Sequence, residues 1–108
     1  MNFTDYQREA GKTNRYAPDI EILLIALGLS EEAGEVAGKV KKLFRDSEGA
    51  VTQEIEEAIV DELGDVLWYL SQIAAWLDIS MDAVATNNIA KLRSRSERGK
   101  LRGSGDNR

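Results

Sequence analysis

The sequence predicts an all-α fold: a small four-helix-bundle-like protomer with two long antiparallel helices, assembling as an oligomer. Three observations lead there. Apolar residues recur at spacings of three and four, the period of one helix face, and no stretch alternates convincingly as a strand would. Capping and turn-forming residues cut the 108-residue chain into four helical segments. The two longest segments carry apolar surfaces wider than one stripe, more than a chain of this size can enclose by itself.

The first helix is expected to start at Thr4, a residue type that caps helix N-termini, and to end near Lys12, leaving Asn14 and Arg15 in a loop. Pro18 suits the opening of a second helix, where its missing N–H costs nothing, and Asp19 and Glu21 suit the positive end of the helix dipole. From Ile20, the residues Ile22, Ile25, Leu29, Val36, Val40 and Leu43 carry this helix to about Arg45. A polar loop, Asp46–Thr52, contains Gly49 and ends on a capping threonine. The third helix repeats the pattern with Ile55, Ile59, Leu63, Val66, Leu70, Ile73 and Leu77. Asp78–Ser80 breaks it, and Ser80 caps a fourth helix from Met81 to about Arg95. Leu23, Leu24 and Leu27 on the second helix, with Leu67, Trp68 and Trp76 on the third, broaden the apolar surfaces. Self-association is the expected way to cover them. Residues 1–98 form one domain, and 99–108 read as a flexible, basic, Gly-rich tail that buries little beyond Leu101.

Composition narrows the chemistry. With no cysteine and no histidine, disulfides, Cys/His zinc sites and His-based nucleophilic catalysis are excluded. The longest apolar run, Ile22–Leu27, is far short of the ~20 residues that span a bilayer. No signal-peptide pattern opens the chain, so a soluble cytoplasmic protein without a membrane partner is expected. Net charge is −5, unevenly spread: residues 1–90 hold seven basic and seventeen acidic side chains, residues 91–108 seven and two. An acidic body repels nucleic acid, and the basic tail lacks aromatics for base stacking.

The informative carboxylates stand where apolar residues belong. Glu32 lies three residues after Leu29 and four before Val36; Glu35 follows on the same helix side, and Glu31 is one turn before Glu35. On the third helix Glu62 lies between Ile59 and Val66, with Asp65 three residues on. If the long helices are antiparallel neighbours, Glu32, Glu35, Glu62 and Asp65 can converge. Uncompensated, each would cost several kcal/mol, so a cation is expected to neutralise them. Oxygen-only ligands point to Mg²⁺, with Mn²⁺ able to substitute. Di-iron bundles, which need histidines, are ruled out. Gly34, Gly38 and Gly64 suit either close helix packing or room for a ligand, and Lys39 can pair with Glu35 one turn away. Asn88, Lys91 and Arg95 form one polar stripe on the fourth helix, suited to a polyphosphate or simply to water.

The stretch Gly28-Leu-Ser-Glu-Glu-Ala-Gly-Glu-Val36, followed by Asp61-Glu-Leu-Gly-Asp-Val-Leu-Trp-Tyr69, resembles the MazG-type nucleoside triphosphate pyrophosphohydrolases. These are all-α enzymes related to dimeric dUTPases and phosphoribosyl-ATP pyrophosphohydrolases. The resemblance extends through Asn88–Arg95 and covers most of the chain to about Gly99. It implies Mg²⁺-dependent hydrolysis between the α- and β-phosphates of a nucleoside triphosphate. Glu32, Glu35, Glu62 and Asp65 would then be metal ligands, and Glu31 a further ligand or the residue that orients water. Lys91 and Arg95 would hold phosphate oxygens, and Asn88 sugar or phosphate. Tyr69 and Trp68 are the candidates to stack on the base, Trp68 having a competing role in the core. The resemblance also implies a homodimer or dimer-of-dimers tetramer, and nucleotide-pool house-cleaning on standard or damaged NTPs and dNTPs. The rival expectations are a narrower specificity of the dUTPase or phosphoribosyl-ATP type, a non-catalytic helical oligomer that binds nucleotide or a partner protein, and an adaptor that binds nucleic acid through the tail.

Overall fold

A computed structural model describes residues 1–99 and 101–105. These residues form four helices: α1 (Phe3–Gly11), α2 (Glu21–Ser47), α3 (Gln53–Trp76) and α4 (Met81–Glu97). No strand occurs among the described residues. The expected tail overlaps them only at Gly99 and 101–105, which are exposed and outside any helix; Lys100 and 106–108 lie outside the described residues.

Local chemistry accounts for each boundary. Asn2, rather than Thr4, caps α1: its side chain accepts the Asp5 N–H at 2.8 Å. Thr4 sits within the first turn, and its hydroxyl bonds Asp82 at the start of α4. Asparagine at this position starts the helix two residues sooner than a threonine cap would. Pro18 opens a turn, not the helix; α2 follows from Glu21 without a side-chain cap. It ends where Glu48 (φ +53°) and Gly49 (φ +82°) turn left-handed and both N–H groups bond the Leu43 carbonyl. Thr52 and Ser80 cap α3 and α4 as expected. Between those two helices Asp78 takes φ +58°, a conformation that Asp tolerates better than branched residues.

The long helices run antiparallel. Leu43 and Ser47 share a groove with Ile55 and Ala58, Glu32 meets Glu62 and Asp65, and Gly28 lies under Tyr69. Thus positions rising along α2 meet positions falling along α3. Helix α1 packs on α3 and α4; α4 touches α1 and α3 but makes no contact with α2. Gln7 ties these junctions together, donating to the Ile79 carbonyl (3.0 Å) and the Ser71 carbonyl (3.3 Å) and accepting the Met81 N–H (3.0 Å).

The buried apolar set is small: Ala10, Ile25, Leu43, Ala74 and Met81. Much of the predicted stripe is exposed, including Val40, Leu63 and Leu70, and Leu27 and Trp76 are 60% and 49% accessible. No helix among the described residues is long and apolar enough to cross a membrane.

Candidate functional site

Three carboxylates meet where α2 crosses α3. Glu32, Glu62 and Asp65 each offer an oxygen within 4.8 Å of the other two. Antiparallel packing brings this about, because Glu62 and Asp65, three residues apart on α3, face the α2 turn that carries Glu32. Partial desolvation raises the Glu32 pKa first, and the negative charges of Asp65 and Glu62, a hydrogen bond with Glu62 and the charge of Glu31 raise it further. Glu32 therefore holds its charge at a cost that a cation among the three oxygens would offset. Its all-oxygen donors fit a hard divalent ion that keeps part of its water. Glu31 and Glu35 are exposed and stand outside this trio. Glu35 makes no ion pair with Lys39; the described ion pairs involve Asp5, Arg8 and Glu9 on α1 with Lys12 just after it, and Arg45 with Asp46.

Beside the trio lies an open cleft of about 490 Å³, to which Glu32 and Asp65 contribute. Pockets of roughly 300–1,000 Å³ hold small organic ligands. Its aromatic wall is Trp68 and Tyr69, one turn beyond Asp65, with Tyr16 from the α1–α2 loop. The three rings meet edge-on: Trp68 and Tyr69 centroids are 4.9 Å apart, Tyr16 and Trp68 6.4 Å. The Tyr16 and Tyr69 hydroxyls lie 3.4 Å apart. That hydrogen bond, then partial burial and the nearby charges of Glu32 and Glu31, push Tyr69 up to about 12. Tyr6, on α1, is also raised, by burial and by the charge of Asp65.

Glycine and threonine set these rings. A Cβ at Gly28 would overlap the Tyr69 ring, so only glycine lets Tyr69 approach α2 this closely. The Trp68 Nε1–H donates to Thr13 Oγ1 at 2.7 Å, and the Thr13 hydroxyl donates to the Ala10 carbonyl at 2.7 Å. By contrast, Gly34, Gly38 and Gly64 face open space; their lack of a side chain admits no close helix contact within the chain.

The structure therefore brings Glu32, Glu62, Asp65, Trp68 and Tyr69 together. It does not bring Asn88, Lys91 or Arg95 into this cleft within one chain. Asn88 and Lys91 are exposed on α4, and Arg95 is buried, 4% accessible. Sequence reasoning missed Thr13, Arg15 and Tyr16, which line the cleft from a loop read only as a connector. The available signal was an aromatic and a cation standing in a short polar segment just ahead of the carboxylate-bearing helix.

Residues 21–99 match the MazG nucleotide pyrophosphohydrolase domain, a span that contains the carboxylate trio, Trp68 and Tyr69. The chain is also similar to the Gene 37 protein of Mycobacterium phage L5, 50% identical over 84 residues, which are 78% of this chain and 74% of the phage protein. No solved structure matches it. A matched span this long, enclosing the whole acidic face of α2 and α3, shows that the chain belongs to the MazG nucleotide pyrophosphohydrolase family.

Proposed function

We propose that the chain hydrolyses nucleoside triphosphates, standard or damaged, between the α- and β-phosphates, releasing a nucleoside monophosphate and pyrophosphate. The observation that carries this reading is the carboxylate trio opening onto an aromatic-walled cleft of nucleotide size. The trio would hold Mg²⁺, or Mn²⁺ in its place, through Glu32, Glu62 and Asp65, with Glu35, one turn further along α2, as the fourth ligand. When bound, the ion supplies charge neutralisation for phosphate oxygens and a more acidic water.

The chain's own residues do the rest. Trp68 and Tyr69, held by Thr13 and permitted by Gly28, bind the base between edges and faces of their rings. Glu31, exposed beside the trio, orients the attacking water and accepts its proton as the oxygen adds to the α-phosphorus. The bond from that phosphorus to the α–β bridging oxygen breaks, and pyrophosphate leaves with the electron pair. Asn88 and Lys91, on a helix that does not touch α2, reach sugar and phosphate from a second copy of the chain; Arg95, buried within its own chain, has no such reach. Clearing unwanted nucleotides from the pool is the role this chemistry suits.

The test is a panel of NTPs and dNTPs with Mg²⁺, analysed for pyrophosphate against orthophosphate. Monophosphate plus pyrophosphate is expected, and hydrolysis in ¹⁸O-water should label the monophosphate. Asp65→Asn and Glu35→Gln are expected to lower turnover by about a hundredfold or more while the helical circular dichroism persists. Activity unchanged in both variants would remove the assigned residues. Mg²⁺-dependent nucleotide binding without any product would replace the enzyme with a nucleotide-binding oligomer. Turnover of a single nucleotide would indicate the narrower specificity.

A further inference from the structure

We propose that Arg15 is a substrate-binding residue of this cleft and grips the polyphosphate of the nucleotide; this rests on the pyrophosphohydrolase reading and names the cation that the reading lacks within one chain. A triphosphate brought against Glu32, Glu62 and Asp65 needs positive charge on both sides, from the metal and from the protein. Among the described residues lining the cleft, Arg15 is the only basic one. The other candidates are committed or distant. Arg8 and Lys12 pair with acids on α1, Arg45 pairs with Asp46, and Lys39 and Lys42 border a groove near the other end of α2.

The loop holds Arg15 in readiness. Its predecessor Asn14 donates to Glu21 (2.8 Å) and to the buried Gln72 (3.0 Å), and its Oδ1 accepts the Tyr16 N–H at 3.1 Å. Its successor Tyr16 rests against Trp68 and bonds Tyr69. The backbone of Arg15 is thus fixed between two anchored neighbours, while its side chain is exposed and forms no ion pair or hydrogen bond among the described residues. Glu32 and Asp65 line the same cleft, yet neither comes within salt-bridge distance of it. Opposite charges held apart across one cleft leave room for a group that satisfies both, and a metal-bound phosphate chain does so. A guanidinium is suited to this, since its fork takes two phosphate oxygens at once.

Calorimetry with inorganic tripolyphosphate and Mg²⁺, and separately with free nucleosides, tests the assignment without needing turnover. Arg15→Ala is expected to weaken tripolyphosphate binding about tenfold or more, as loss of a charge-assisted contact does, with Arg15→Lys recovering part of it. Nucleoside binding and the circular dichroism should stay as in the parent chain. In the turnover assay KM should rise with kcat little changed. Tripolyphosphate binding unaltered in Arg15→Ala overturns the proposal, as does a parent chain that binds no tripolyphosphate. An equal loss of nucleoside binding also overturns it, because Arg15 would then act on the base side. If the parent chain releases no pyrophosphate but Arg15→Ala still loses tripolyphosphate, the enzymatic reading fails and the Arg15 assignment stands.

Discussion

Glu32 stands in an acid-lined position that disfavours its charge, a penalty that a bound cation would relieve. Its pKa is raised above the ordinary 4.5 because it is partly desolvated beside Asp65 and Glu62. The folded state therefore holds the proton more tightly than the unfolded chain. That contribution to stability is fully present below the ordinary value and is lost as pH rises through the raised one. In metal-free protein, Glu32→Gln is expected to melt above the parent chain at pH 7, and the gap should close as pH falls toward 4.5. Mg²⁺ should raise the melting temperature of the parent and much less that of the variant. A gap that does not depend on pH would show that the trio's repulsion is not what separates them. Gly28 makes a second residue-scale prediction. Gly28→Ala forces the Tyr69 ring off α2, with a stability cost of roughly 1–3 kcal/mol as for other overpacked sites. Loss of the Tyr16–Tyr69 contact should also raise KM, and Trp68 fluorescence should report the displaced ring. An Ala variant with parental KM and spectrum would mean that Tyr69 does not shape the cleft.

At the scale of elements, the α1–α2 connection is as much a part of the site as the helices it joins. Asn14 bonds both the first turn of α2 and the buried Gln72 of α3, so the loop cannot shift without stranding polar atoms. Asn14→Ala leaves the Gln72 carbonyl oxygen without this donor and is expected to cost about 1–3 kcal/mol in denaturant unfolding. Such a cost with unchanged nucleoside binding would confine Asn14 to stability. The loop was hard to read because its function lies in neighbours far along the chain. Thr13 meets Trp68, Asn14 meets Gln72 and Tyr16 meets Tyr69, pairings with no local period. The helices themselves were legible, because spacing, capping and breaking act within a turn. The one misplaced cap, Thr4 for Asn2, is a choice between two competent residues close together, decided when Thr4 turned to Asp82 on α4.

The whole molecule is wider than a self-contained chain of its size. Its radius of gyration is 16.6 Å, where a compact domain of this length has about 13 Å. Its accessible surface is 7882 Å², against about 6,000 Å² for a monomer of this mass. Leu23, Leu27, Trp76, Leu77, Val84 and Ile89 are among the large apolar side chains left exposed. Sedimentation at micromolar concentration is expected to find a dimer or tetramer and no appreciable monomer. Leu23→Glu combined with Leu27→Glu, which would bury two charges, should weaken association about a hundredfold or more. A parent chain that sediments as a stable, folded monomer would overturn this expectation, and with it the supply of Asn88 and Lys91 by a second copy.

The sequence by itself determined the helical fold, its four segments, and the acidic motif on the two long helices. All of these follow from residue type and short-range period, which physical chemistry reads within a few positions. Only the tertiary structure decided which acids gather: Glu32 with Glu62 and Asp65, while Glu31 and Glu35 stand outside. It also decided that a loop supplies the third aromatic and, among the described residues, the cleft's only basic side chain, and that α4 stays clear of α2. Spacing says which side chains share a face; the rotation and offset of one packed helix against another, set by groups such as Gly28 under Tyr69, say which of them meet.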